Sequence, residues 1–128
     1  MLRAEGIPNS FEFCGSAIFI TNIKFEHVRS KKLRDHLDAL ESRCHYLDLT
    51  IDTAREKILR IKQIVNDGML DVYDLTDEQK AEVVQFIDVN KDKMRELSLR
   101  MVIKVADLRA AMPDKWMSVA ALTCMKRA

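Results

Sequence analysis

Residues 13–52 read FCGSAIFITNIKFEHVRSKKLRDHLDALESRCHYLDLTID, and several side chains in that stretch have the types and places that chemistry requires. The apolar run 17–20 ends on Thr21 and Asn22, and a polar pair at the end of a buried strand marks a candidate site. Arg43 stands just before a second apolar segment, where a permanent charge with several donors can reach out from a helix end. Cys44 and His45, with His27 and His36 elsewhere in the stretch, are metal-ligating types, but neighbours on a strand point apart and no paired ligand spacing occurs, so no metal site is expected. Between Lys24 and Asp35 five Lys or Arg (Lys24, Arg29, Lys31, Lys32, Arg34) face two acidic residues, a pattern able to touch DNA or RNA but more often a solvated helix face.

The elements that would hold these groups follow from periodicity. Gly6 and Pro8 with no apolar period make 1–10 an entry loop, Phe11 and Phe13 alternate with polar neighbours, and Gly15-Ser16 supplies a turn. The continuous apolar run then predicts a central strand over 17–21, buried on both faces. Leu33, Leu37 and Leu40 recur at helical spacing and predict an amphipathic helix over 30–41. Tyr46, Leu47, Leu49 and Ile51 return to a strand-like alternation.

Beyond Asp52 the period becomes helical throughout. Ala54, Ile58, Ile61 and Val65 predict a helix over 53–66, stopped by Asn66-Asp67-Gly68. Thr76 opens TDEQ, a capping box in which the hydroxyl and Gln79 satisfy free backbone donors, and Val83, Val84, Phe86 and Ile87 supply the apolar face of a helix over 77–89. Leu97, Met101, Val105, Leu108 and Met112 mark a third helix ended by Pro113, and Trp116, Val119, Ala120 and Met125 a fourth. The Met residues and Trp116 at these positions read as packing.

In this order the segments resemble the C-terminal portion of AAA+ P-loop ATPases of phage and bacterial type, from the sensor 1 strand through the helical lid. The resemblance rests on SFEF-G-IFITN, on DALESR (38–43) as a form of D-x-L-x-S-R, on HYLDLTI (45–51), and on LSLRMVIKVADL (97–108), and it covers nearly the whole chain. It implies an α+β, mostly helical fold: the last strands of a partial P-loop NTPase sheet in 1–52, followed by a four-helix lid bundle in 53–128. It also implies roles. Asn22 would be the sensor 1 residue that orients the attacking water, and Arg43 the arginine finger that reaches a neighbouring subunit's phosphates. Arg100 would be the sensor 2 arginine that binds nucleotide from the lid.

ATP and Mg2+ would then be the cofactors of a complete parent, a ring homo-oligomer that remodels protein or nucleic acid. The sequence departs from the family in one respect: no G-x-x-x-x-G-K-S/T phosphate loop occurs, so the chain reads as a fragment that begins after that loop and is expected to be inactive and to hold no nucleotide tightly on its own. Asp77-Glu78 is not the missing acidic motif, because DVYDLT before it is no buried strand; negative charge there suits the first turn of a helix. The alternative is a non-catalytic helical interaction or nucleic-acid-binding module, in which Asn22, Arg43 and Arg100 have no common purpose.

Composition narrows the field further. The 128 residues are 48% hydrophobic, enough for a core and against disorder. Residues 1–52 hold seven basic against eight acidic side chains and 53–128 fourteen against twelve, so neither part has the charge of a dedicated nucleic-acid binder. The apolar runs are far short of the roughly 20 residues needed to cross a bilayer, and no signal peptide pattern is present, which predicts a soluble, cytoplasmic protein without membrane partners. Three widely spaced cysteines (Cys14, Cys44, Cys124) predict free thiols.

Overall fold

The computed structural model describes residues 6–128, which divide into two compact units, 6–48 and 49–128. Residues 1–5, and with them the first half of the expected entry loop, lie outside the described part.

In the first unit a single turn of 3-10 helix at Phe25–His27 precedes α1, Lys31–Arg43. Ser30 caps α1 by accepting from Leu33 N at 3.3 Å, and the Arg34 guanidinium donates to the carbonyls of Val28 and Glu26, tying the helix to the turn before it. The Phe25 and Tyr46 rings meet at a tilt of 46°, with centroids 5.7 Å apart. No residue of 6–48 is fully buried.

The expectation of a partial P-loop sheet, and with it the α+β class, is overturned. Among the described residues there is no β-strand, and the protein is helical, with five α-helices. Segment 17–21 and segment 46–51 carry no regular structure. The apolar residues that suggested strands are real, but a strand exists only in a hydrogen-bonded ladder, and neither segment has one. Their burial is equally absent: Ile18, Ile20, Leu47 and Leu49 are each more than three-quarters exposed.

The second unit contains the core. Thr53 and Glu56 form a reciprocal capping box on α2, Ala54–Asn66, and Thr76 and Gln79 form another on α3, Asp77–Val89. α2 ends in a Schellman turn: Met69 N donates to Ile64 O at 3.2 Å and Gly68 N to Val65 O at 3.1 Å, with Gly68 at φ +103. α4, Leu99–Ala111, starts from Ser98, whose hydroxyl accepts from Met101 N, and α5, Trp116–Cys124, follows Pro113.

Helical spacing decides which side chains meet. Ile58, Ile61 and Val65 of α2, Val83, Val84 and Ile87 of α3, Met101, Val102, Val105 and Ala106 of α4, and Trp116, Ala120 and Cys124 of α5 are buried, and Leu70 and Met94 fill the ends from the connecting segments. Phe86 meets Trp116 edge to face, centroids 5.2 Å apart. α3 packs on α2 and α4, and α4 on α5.

The chain after α5 doubles back on the segment before α4. Met94 and Met125 form an isolated antiparallel bridge, with Arg95 N bonded to Cys124 O at 3.0 Å and Lys126 N to Lys93 O at 2.8 Å. The Arg95 side chain adds a 2.9 Å bond to Met125 O and the Lys126 ammonium a 3.2 Å bond to Asp92 O.

Candidate functional site

Asn22 lies in the irregular segment that follows the apolar run. The Thr21 hydroxyl accepts from Ile23 N at 3.1 Å, so a side chain–backbone turn brackets Asn22 and leaves its carboxamide exposed. Arg43 is the last residue of α1, one turn after Ala39, whose carbonyl takes the Ser42 hydroxyl at 2.9 Å. Its side chain is exposed and makes no hydrogen bond or ion pair among the described residues, with Asn22 or any other. A cation at a helix C-terminus is favoured by the macrodipole, which accounts for Arg43 being tolerated there without accounting for its being an arginine.

Arg100 sits in the second unit as the second residue of α4, exposed and likewise without a partner. This is the electrostatically wrong end of a helix for a cation, costing about 0.3–1 kcal/mol, and the first turn of α4 holds no acidic residue to offset it. Lys104, one turn further along, is also exposed and unpaired, so two like charges share one face four residues apart. Arg109 on the same helix is the contrast: its Nε donates to Glu82 Oε2 at 2.9 Å and it is a structural group.

Among the described residues no group of three or more His, Cys, Asp or Glu is placed to hold a metal ion. Asp77 lies 3.8 Å from Lys80, while Glu78 is held below the ordinary carboxylate range by its backbone N–H and by the Thr76 side chain, so both serve the start of α3. Cys14 and Cys44 are exposed free thiols and Cys124 is a buried one. Of the basic stretch, Arg34 is committed to backbone carbonyls, and Lys31 and Lys32 stand exposed at the start of α1.

Sequence reasoning missed the ion pairs along the groove between α2 and α3, an open space of about 720 Å³. Lys62 bonds Asp88 at 2.6 Å and Lys80 bonds Asp71 at 2.7 Å. The Lys62 partner, opposed by partial burial and helped by Lys91, holds the Asp88 carboxyl below its ordinary value, and the bond to Asp71 raises the Lys80 ammonium above its own. The i,i+3 spacing of Asp77 with Lys80 and of Asp88 with Lys91 was the available signal; the longer-range partners had none. The groove contains none of Asn22, Arg43 and Arg100, and its charges are spent on one another.

The chain is similar to an uncharacterized 36.7 kDa protein of the nrdC-mobD intergenic region of Enterobacteria phage T4, 33% identical over 122 residues. The match takes in 93% of this chain and 38% of that protein, so the chain spans well under half the length of its curated relative. No family model matches the chain, and no solved structure matches it significantly. No helix among the described residues is long and apolar enough to cross a membrane.

Proposed function

We propose that this chain supplies the hydrolysis-sensing and subunit-coupling residues of a cytoplasmic AAA+ ATPase, a ring homo-oligomer whose phosphate-binding core is provided by other sequence. Arg100 carries the reading. It is an unpaired arginine on the first turn of a capped helix, where the fold gains nothing from its charge, and an anion presented to that turn would meet both the guanidinium and the helix dipole. Arg43 supports it as a second unpaired arginine, at the end of a short helix from which it can extend toward a neighbouring subunit's phosphates. Asn22 supports it as an exposed neutral carboxamide able to orient water. ATP and Mg2+ would be held by the phosphate-binding core, since this chain has neither a phosphate loop nor a metal cluster among its described residues. The substrate of such a ring would be a protein or a nucleic acid.

The test is nucleotide affinity and turnover in a polypeptide that joins this chain to a phosphate-loop core. Arg100→Ala is expected to weaken ATP binding roughly tenfold, the value of one charged contact to phosphate. Unchanged binding and turnover would remove the assignment.

A second reading is favoured by the absence of a strand ladder among the described residues: the chain is a non-catalytic helical interaction or nucleic-acid-binding module. Under it, Ala substitutions at Asn22, Arg43 and Arg100 leave every nucleotide-dependent readout untouched.

A further inference from the structure

Charge over 53–128 is nearly balanced, but the chain does not spread it evenly. Residues 67–88 hold seven acidic side chains against one lysine, whereas 91–104 hold five basic against two acidic, and Lys126 and Arg127 add two more cations. The bridge between Met94 and Met125 brings these last two beside 93–95. Met94 is buried there, while its neighbours Lys93 and Arg95 stand exposed, as does Lys126, whose backbone N–H bonds Lys93. The clasp thus gathers Lys93, Arg95, Lys126 and Arg127 at one end of the unit.

The way two of these cations are held sets them apart. Lys62, Lys80, Lys91 and Arg109 each meet a carboxylate. Arg95 and Lys126 meet backbone carbonyls instead, Arg95 Nε at 2.9 Å from Met125 O and Lys126 Nζ at 3.2 Å from Asp92 O. A carbonyl orients a cation and leaves its charge unspent, and a neutral donor would fasten the clasp as well. Because the Arg95 guanidinium is fixed through Nε, both its Nη groups keep their donors, and the side chains of Lys93 and Arg127 make no bond among the described residues. Of the two acids nearby, Glu96 is engaged by the Ser98 hydroxyl at 3.0 Å, which leaves Asp92 as one negative charge against four positive.

We propose that the exposed face of the clasp binds the phosphate backbone of duplex nucleic acid. A guanidinium fork matches a phosphate in two places, and a regular row of phosphates meets several cations at once. No aromatic side chain occurs in 91–104 or 123–128 to stack unpaired bases, and a duplex offers one charge per about 1.7 Å against about 3.4 Å for a strand, so the paired form is the better occupant. The acidic stretch 67–88 of a second copy is a poorer one, since Asp71 and Asp88 are already bound to Lys80 and Lys62. The inference names the site of the nucleic-acid-binding reading above and rests on that reading; Arg100, a phosphate loop and ATP have no part in it.

The experiment is fluorescence anisotropy of the full chain with a short labelled DNA duplex over a salt series. Binding is expected with Kd of about 10⁻⁶ to 10⁻⁴ M near physiological salt, equal for two unrelated sequences and falling as salt rises. Lys93→Gln, which removes a side chain that touches nothing, should weaken binding several-fold and reduce the salt slope by about one. Arg95→Lys keeps the charge but loses the fork, and should weaken it by about threefold or more. Arg55→Gln, an equal loss of charge from an exposed arginine of α2, should leave it within about twofold, with helicity by circular dichroism the same in every variant. A duplex that does not bind overturns the proposal and the nucleic-acid reading together. Binding that Arg55→Gln weakens as much as Lys93→Gln, or that Arg95→Lys leaves unchanged, overturns the site alone. Displacement of the duplex by inorganic phosphate at equal phosphate concentration would give these cations to a free anion, and displacement by polyglutamate at equal charge to an acidic protein; either overturns the proposal.

Discussion

Arg109 and Glu82 are joined by a 2.9 Å bond from Nε to Oε2, and the same guanidinium lies 5.9 Å from the centroid of the Trp116 ring, so one side chain of α4 binds α3 and α5 together. Arg109 is 12% exposed, and the contact is therefore only partly screened. Arg109→Ala should cost about 1–2 kcal/mol, measured as a lowered urea midpoint. Arg100→Ala, nine residues earlier on the same helix, should leave stability unchanged or raise it, by up to about 1 kcal/mol, because it removes a cation from the positive end of the helix dipole. Equal losses for the two variants would make Arg100 a structural residue.

Gly68 stands at φ +103 in the turn that ends α2, and a Cβ there would meet Asp71 Oδ2 at 2.7 Å. Gly68→Ala therefore strains the backbone and pushes on the carboxylate that Lys80 holds at 2.7 Å. A loss of about 1–2 kcal/mol is expected in thermal or chemical unfolding.

The Lys62–Asp88 pair makes a prediction in acid. Because the folded state holds the Asp88 carboxyl below its ordinary value of 3.8, the pair's contribution is complete above that value and disappears as pH falls through the lower folded value. With side chains 47% and 30% exposed, its worth is under about 1 kcal/mol. Asp88→Asn should therefore be slightly less stable than the parent at pH 7, and the two should converge in acid once the Asp88 carboxyl is protonated in the folded state. A difference that persists in strong acid would locate the effect in packing.

Every fully buried side chain of 6–128 belongs to 49–128, so that unit should fold alone. A chain starting at Leu49 is expected to unfold cooperatively by circular dichroism. A broad, non-cooperative transition would show that residues before Leu49 complete its core.

Under the proposed function, joining this chain to a phosphate-loop core should give a polypeptide in which Arg43→Ala lowers ATP turnover by roughly a thousandfold with nucleotide affinity nearly unchanged, because an arginine finger would answer charge that develops in the transition state. Asn22→Ala should impair turnover within its own subunit. Mixing the Arg43→Ala parent with a variant lacking the phosphate-loop lysine should restore some activity, since each mixed interface can pair a sound finger with a sound pocket. Failure of rescue in demonstrated mixed rings would place Arg43 in its own subunit's structure.

The helices were legible because their signals are local. Thr76 announces a capping box, Gly68 announces a stop, and the apolar residues of α2 and α4 repeat at the helical period, whereas the Thr53–Glu56 box on α2, although equally local, went unread. Segment 17–21 misled for the opposite reason: an apolar run reports a demand for burial, and whether a ladder exists depends on residues elsewhere. The Glu82–Arg109–Trp116 contact was illegible in the same way, its members being 27 and 7 residues apart and brought together only by packing. Of the candidate site residues, the sequence located Arg43 at a helix end and Arg100 on a helix. That both are unpaired is a property of the folded chain.

The clasp between 93–95 and 124–126 also has a mechanical meaning. Its two segments run antiparallel, so tension entering at Arg127 and leaving toward Asp92 pulls on neighbouring ends and peels the contacts in sequence, Lys126 to Lys93 first and Arg95 to Cys124 after it. Peeling breaks bonds one at a time, whereas shearing loads them together. α4 and α5 are shielded within the loop until the clasp opens, which makes it a fuse: a modest traction on the C-terminal side releases the tether while the helices beneath it still carry no load.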